Sequence, residues 1–309
     1  MKHIFIINPV AGSGKAREFF MPKILTEIQK YNIEYKVHLT TKVGDARRFV
    51  KRLCSFRKDP AQTLRFYACG GDGTLNEVVN GAMDYPNVQI ACIPAGTGND
   101  FVRNFGEGKK FRDIEAQLRG TPRMVDAMLY RTEDGKKRLG LNLINMGVDT
   151  EAVKYMEMVK QKKILRGTSA YIFGAACAFF QLTSYDIHVR LDEHAEFDGE
   201  ITLLAIGNGT TYGGGFRATP EAKVDDGLID ICMVKKINRR QFLQLVGSYK
   251  KGEHIKADSA KEVVRYKKAK RIEIRSKEPI GISVDGELIH TRKLEVEVLP
   301  RSVCFVVPR

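Results

Sequence analysis

The chain contains no tryptophan and no C-x-x-C pair. Its six cysteines are Cys54, Cys69, Cys92, Cys177, Cys232 and Cys304, and none lies near a histidine at metal-ligand spacing. A zinc ribbon, a zinc finger and a thioredoxin-type redox centre are therefore excluded. Several cysteines sit in apolar runs, Cys92 in IACIP and Cys304 in VCFVV, and read as buried small hydrophobes in a reducing compartment. Long hydrophobic runs are also missing. The longest, Ala170 to Phe180, is too short for a bilayer crossing, which needs roughly 20 residues. The N-terminal MKHIFIINP is an apolar strand without the shape of a signal peptide. A cytoplasmic protein with only peripheral membrane contact is expected. Internal repeats and low-complexity linkers are absent too. Acidic residues are in deficit: 37 Asp and Glu stand against 51 Lys and Arg, a net charge of +14. That balance attracts nucleic acid, anionic lipid headgroups or a polyphosphate nucleotide. No helix-turn-helix, zinc module or aromatic RNA-binding motif accompanies it, so no nucleic-acid partner is expected.

What is present is enough for a full core: 309 residues, 43% of them hydrophobic. The first third alternates strands and helices. Strands are predicted at His3–Ile7, Glu34–Leu39, Thr63–Cys69 and Gln89–Ile93. Helices are predicted at Ala16–Tyr31, Gly44–Cys54 and Leu75–Met83. Repeated strand–helix units imply a parallel sheet covered by helices, with ligands bound at the C-terminal strand ends. After about Met124 the pattern changes to period-two alternation, the mark of antiparallel strands with one wet face. Strands are predicted at Val125–Tyr130, Arg138–Met146, Tyr185–Leu191, Gly199–Gly207, Leu228–Val234, Arg271–Ser276, Gly281–Val284 and Leu294–Leu299. Helical insertions are expected near Thr150–Phe180 and Arg239–Gly247. The fold class is thus an α/β N-terminal domain with a parallel sheet, plus a β-rich second domain. The expected boundaries are 1–126 with about 300–309, the final strand Ser302–Val307 returning to the first domain, and 127–299.

Three glycine turns carry the chemistry. Gly70-Gly71-Asp72-Gly73-Thr74-Leu75-Asn76-Glu77 follows an apolar strand and opens a helix. Close-spaced glycines let backbone N–H groups reach an anion, and a helix N-terminus favours phosphate. Asp72 cannot donate to phosphate when ionised; it suits Mg²⁺ beside the phosphates. A plain strand–helix turn is the competing explanation. Ile93-Pro94-Ala95-Gly96-Thr97-Gly98-Asn99-Asp100-Phe101 also follows a strand. The third turn, Asn8-Pro9-Val10-Ala11-Gly12-Ser13-Gly14-Lys15, invites a P-loop reading that fails: Pro9 stands where the pattern needs Gly, and Ala16 where it needs Ser or Thr. Val284-Asp285-Gly286-Glu287 reads, from residues alone, as a hairpin turn.

In this order and spacing, the motifs resemble the lipid kinase family that contains bacterial diacylglycerol kinases, sphingosine kinases and ceramide kinases. The resemblance extends over essentially the whole chain. It includes Ile206-Gly207-Asn208-Gly209 with Gly213-Gly214-Gly215, and Pro220-Glu221-Ala222-Lys223-Val224-Asp225-Asp226-Gly227-Leu228. The resemblance implies a phosphofructokinase- or NAD-kinase-like first domain and a β-sandwich second domain. It implies ATP and Mg²⁺ as cofactors and a lipid hydroxyl, diacylglycerol foremost, as acceptor. Asn8, Pro9, Val10, Ala11 and Gly12, Thr40 or Thr41, Gly70, Gly71, Asp72, Gly73, Thr74, Leu75 and Asn76, and Thr97 would line the ATP pocket. A structural Mg²⁺ would take the Asp226 carboxylate and the Lys223 and Leu228 carbonyls. Asp285, with Glu287 close behind, would accept the proton of the lipid hydroxyl. A homodimer is a weaker implication.

Lys160–Arg166, Lys235–Arg240, Lys250-Lys251 and Lys267–Arg271 could meet anionic headgroups. Tyr171–Phe180 could line an acyl-chain groove or belong to the core. An NAD kinase would share the Gly-Gly-Asp-Gly-Thr turn but not the segments at 93–101, 213–215 and 285–287. A non-catalytic nucleic-acid- or nucleotide-binding regulator is allowed by charge and by nothing else.

Overall fold

The computed structural model describes residues 1–96, 98–106, 108–147, 150 and 182–309. The helical insertion expected at 150–180, the basic cluster at 160–166, the apolar stretch at 171–180 and Thr97 lie wholly or almost wholly outside the described residues. The chain forms two compact units, Met1–Val125 with Arg301–Arg309, and Asp126–Pro300.

In the first unit, β1 (Lys2–Ile7) pairs in parallel with β2 (Tyr35–Leu39) on one side and β3 (Leu64–Gly70) on the other. β4 (Val88–Pro94) pairs in parallel with β3, and Phe305 of the C-terminal segment pairs with Ile90 beyond it. β3 is buried along its whole length, as a central parallel strand covered on both faces must be. The helix Ala16–Tyr31 buries Phe20, Ile24 and Ile28, at helical spacing, against Phe5, Ile7 and Tyr67. It stops at Asn32, which takes a left-handed conformation. The helix Asp45–Ser55 starts where the Glu77 carboxylate accepts the Gly44 N–H at 2.7 Å.

The second unit is antiparallel. β5 (Thr121–Thr132), which enters it at Asp126, pairs with β6 (Lys137–Gly140). β7 (Leu143–Gly147) lies between β9 (His194–Gly207) and β12 (Arg271–Val284). β8 (Tyr185–Leu191) also pairs with both β9 and β12. β10 (Ile229–Lys235) pairs with β9 and with β11 (Val264–Ala269). β12 folds back onto β13 (Glu287–Val307). Inward residues of these strands, among them Ile144, Ile187, Leu204, Ile231, Ile274 and Val296, form one apolar core. A second cluster, with Leu203, Ala205, Cys232 and Val234, packs under the helix Arg239–Lys251.

Several expectations are corrected. The helix after β3 begins at Asp72, three residues before the apolar periodicity starts. The strand expected over Arg138–Met146 breaks at Leu141–Asn142, because the amides there turn onto the carboxylate of Asp285. Arg271–Ser276 and Gly281–Val284 are one strand with a register shift between Arg275 and Ile280. β11 was not expected: its sequence VRYKKA buries only Ala269 fully, too little alternation to signal a strand. The described cysteines are free thiols, four of them buried, and burial pushes Cys54 up to about 11. Among the described residues, no helix is long and apolar enough to cross a membrane.

Candidate active site

The three glycine turns leave the C-terminal ends of β1, β3 and β4, which are neighbours in one parallel sheet. Asn8 N–H donates to the Cys69 carbonyl at 3.0 Å, and Ala95 N–H to the Gly70 carbonyl at 2.8 Å. The turns are therefore laced together. They also touch through bare backbone. A Cβ on Gly96 would stand 2.8 Å from the Gly71 Cα, and one on Gly70 would stand 2.3 Å from the Thr74 hydroxyl oxygen. Gly12, at φ 59°, would bring a Cβ to 3.3 Å from the Ala95 carbonyl. Gly96→Ala is accordingly expected to wedge the 70–77 and 93–101 turns apart. The melting temperature, followed by circular dichroism, should drop by several degrees. An unchanged melting temperature would mean that the two turns have room for a Cβ.

The residues of the 70–77 turn divide by direction. Thr74 and Leu75 are buried, so they pack the turn from beneath. Gly71, Asp72 and Gly73 are half-buried, and Asp72 and Gly73 open the helix, where amides have no intrahelical acceptor. Asp72 accepts the Asp100 N–H at 2.9 Å on Oδ1. A Cβ on Gly98 would lie 2.9 Å from Asp72 Oδ2 and 3.3 Å from Asp100 Oδ2. Two carboxylates thus face the same side of the 93–101 turn. Asp100, itself buried, is also held by Arg103 Nε at 3.3 Å. Its contact with Asp72 was not legible beforehand, because an Asp after Asn in a glycine turn looks like turn chemistry. Asn76 accepts from Asn80 on its own helix. Asn8 Oδ1 takes the Val10 N–H at 3.2 Å, holding the Asn8–Gly12 turn in shape, with Pro9 and Ala11 half-buried and Val10 exposed. Of the adjacent threonines, Thr41 uses its N–H and hydroxyl on Asp45, at 2.8 and 3.1 Å. Thr40 continues the ladder beside β1, donating to the Ile7 carbonyl at 3.0 Å.

In the second unit, Asp285 and Gly286 form the hairpin between β12 and β13, with φ of 48° and 91°. Positive φ at both central positions is what a tight two-residue hairpin of right-twisted strands demands. The Asp285 carboxylate accepts three backbone N–H groups, from Leu141 at 2.7 Å, Asn142 at 2.9 Å and Leu143 at 3.1 Å. Glu287, the first residue of β13, is exposed. Behind the 141–143 turn lies a wholly buried Asn208, whose amide donates to the carbonyls of Leu141 and Asp126 at 2.8 and 2.9 Å. Asn142 in turn donates to the Thr211 carbonyl at 2.7 Å.

Asp126, also fully buried, pins the expected metal turn: its Oδ2 takes the Gly227 N–H at 2.7 Å and its N–H meets the Val224 carbonyl. Asp126 and Asn142 were missed by sequence reasoning, since a lone polar residue in a strand pattern carries no signal; Asn208 was noted only as a member of the 206–209 segment. In that turn Asp226 Oδ1 accepts the Leu228 N–H at 3.2 Å, with Lys223 just upstream. The Lys268 ammonium lies 3.4 Å from Asp226 Oδ2, 3.3 Å from Asp230 Oδ2 and 3.2 Å from the Glu221 carbonyl. Burial pulls the Lys268 pKa down, but the two carboxylates outweigh it and raise it. Asp230 is raised chiefly by its own burial. The Lys268 ammonium thus neutralises Asp226 and Asp230 from inside this turn. Among the described residues, no cluster of three His, Cys, Asp or Glu could hold a metal.

The model of the diacylglycerol kinase catalytic domain matches residues 2–130. The model of the YegS C-terminal NAD kinase beta sandwich-like domain matches residues 142–307. Curated relatives named diacylglycerol kinase, from Staphylococcus carnosus and Staphylococcus saprophyticus, are each 32% identical over 91% of this chain and 87% of their own. The solved structure of a diacylglycerol kinase from Bacillus anthracis overlays at a TM-score of 0.69 with 22% identity, over 99% of this chain and 96% of that one, and so shares the fold. With an α/β unit carrying three interlaced glycine turns, a β-sandwich unit and relatives along nearly its whole length, the chain belongs to the diacylglycerol kinase family and is a kinase.

Proposed function

We propose that this kinase transfers the γ-phosphate of ATP to the hydroxyl of a membrane lipid, diacylglycerol foremost, giving phosphatidic acid. The carrying observation is the interlaced cradle: a Cβ on Gly96 would collide with the Gly71 backbone, and one on Gly70 with the Thr74 side chain. Amides there can approach a phosphate chain as closely as an anion requires. Asn8 to Gly12 and Thr40 border the nucleotide; Thr41 is spent on Asp45. Mg²⁺, when bound, supplies neutralisation of the charge on the transferring phosphoryl group. Asp72, helped by Asp100, would organise that ion, and Asp226 with the Lys223 and Leu228 carbonyls would hold a structural one, as the family resemblance implies.

In the transfer, the lipid oxygen forms a bond to the γ-phosphorus and the bond to the β-phosphate oxygen breaks. The hydroxyl proton passes to a carboxylate of the Asp285-Gly286-Glu287 turn. Asp285 already accepts three backbone N–H groups, so its task is to hold the 141–143 turn. Glu287 is the base in this reading, reversing the order expected from the sequence. Acceptor identity rests on the relatives' names and is the finer part of the proposal.

The test is transfer from γ-labelled ATP with Mg²⁺ into mixed micelles that offer diacylglycerol, sphingosine, ceramide and undecaprenol side by side. Label in diacylglycerol is the expected result. Label in another lipid alone would keep the reaction and change the substrate, and phosphorylation of NAD with no labelled lipid would overturn the proposal.

A further inference from the structure

The helix Asp45–Ser55 of the first unit turns Ala46, Phe49, Val50 and Cys54 inward, all buried. Its outer face carries Arg47, Arg48, Lys51, Arg52 and Ser55, all exposed. At 100° per residue these fall within one arc of about 140°, and every charge on that arc is positive. The acids nearby are engaged elsewhere. Asp45 accepts the Thr41 N–H and hydroxyl and lies 3.3 Å from the His38 Nε2. Glu77 accepts the backbone N–H groups of Gly44 and Arg47, and Asp59 accepts that of Ala61. Among the described residues, no carboxylate, hydrogen-bond acceptor or aromatic ring meets the charged end of any of the four cations.

Two features set this face apart from an ordinary solvated one. Arg47 with Lys51, and Arg48 with Arg52, are like-charged pairs four residues apart, an arrangement that destabilises a helix. Solvated helix faces interleave both signs instead. A cost repeated along one face answers to something outside the helix. The helix is also bracketed by apolar side chains in water. Val43 precedes it and Phe56 follows it, 85% and 80% exposed, more than any other large apolar side chain described.

We infer that this face seats the first unit on an anionic lipid bilayer. The helix, about 16 Å long, lies flat, its two rows of cations reaching headgroup phosphates. Val43 and Phe56 enter the acyl boundary at its two ends. The lipid charge relieves the repulsion between the paired cations. A second copy is the wrong occupant, because a twofold contact would set like charges face to face. Nucleic acid would take the cations and leave both apolar ends in water. The inference does not depend on the proposed lipid acceptor: vesicle binding is measured without ATP, so either can fail alone.

The experiment is sedimentation with vesicles of phosphatidylcholine alone or mixed with phosphatidylglycerol, for the whole chain and three variants. Arg48→Glu with Lys51→Glu reverses two cations of the face, and Phe56→Ser removes an apolar end. Lys136→Glu with Lys277→Glu makes the same change of net charge at exposed positions of the second unit. Each basic residue near an anionic surface is worth about fivefold in partition, so the reversal on the helix should weaken binding to the mixed vesicles by more than about 25-fold. Phe56→Ser should weaken it about tenfold, and the reversal at Lys136 and Lys277 by less than about threefold. The helix reversal also turns both like-charged pairs into opposite ones, so its melting temperature should hold or rise, which separates lost binding from lost folding. Wild-type binding that ignores phosphatidylglycerol, a helix reversal that binds as the wild type does, equal losses in the two reversals, or a preference for duplex DNA over the mixed vesicles would each overturn the inference.

Discussion

Asp72→Ala is expected to lower turnover at least about 10³-fold at saturating ATP and Mg²⁺, with little change in melting temperature. The side chain opens a helix at the end of β3, faces the 96–100 turn and takes the Asp100 N–H. Removing it deletes the charge that would organise the cation, along with the acceptor for the Asp100 N–H at a half-exposed position. Neither change opens a cavity in the core, so the fold should survive. Asp72→Asn is the sharper comparison, since it keeps an oxygen for the Asp100 amide and replaces the charged second oxygen by a neutral amide of the same size. Equal inactivity of the two variants, with intact thermal unfolding by circular dichroism, assigns the effect to charge. Normal turnover of Asp72→Ala would remove Asp72 from the reaction.

Glu287→Gln should lower phosphoryl transfer by about 10²- to 10⁴-fold while ATP affinity and melting temperature stay near wild type. The exposed side chain has little packing to lose. Asp285→Asn should behave differently. Its new amide would set a donor against the three backbone N–H groups that now converge on the carboxylate. The loss of one acceptor oxygen there leaves a part-buried N–H unpaired, at a cost of about 1–3 kcal/mol. Transfer and melting temperature should fall together. A pH–rate profile separates the two residues further: loss of the acidic limb in Glu287→Gln alone marks it as the group that must be ionised. An Asp285→Asn protein of unchanged stability that lacks transfer would return the base to Asp285.

Period and turn chemistry alone were enough to determine the succession of strands and helices in the first unit, the switch to antiparallel strands after about Met124, and the glycine turns at strand ends. The helix at Ala16–Tyr31 is an instance: its apolar spacing and its Asn32 stop both lie within a few residues of where they act. Local patterns of this kind survive folding because neighbouring residues decide them. Contacts distant in sequence decided the rest. Asp285 binds Leu141 to Leu143, more than 140 residues away, and that contact splits an alternating run into two strands. Thr41 and Thr40 are indistinguishable as letters, and Asp45 separates them only when its helix is in place. Glu77 reads as part of a phosphate turn, yet its carboxylate starts another helix across a gap of 33 residues. Buried Asp126, Asn142 and Asn208 belong to the same class: a polar side chain in a strand becomes meaningful when a partner from another strand reaches it. The sequence by itself determined which elements form and which loops can meet phosphate, since backbone freedom and apolar period are local properties. Only the tertiary structure decided which carboxylates are committed to holding turns and which face outward, since a hydrogen-bond partner is a property of the folded neighbourhood.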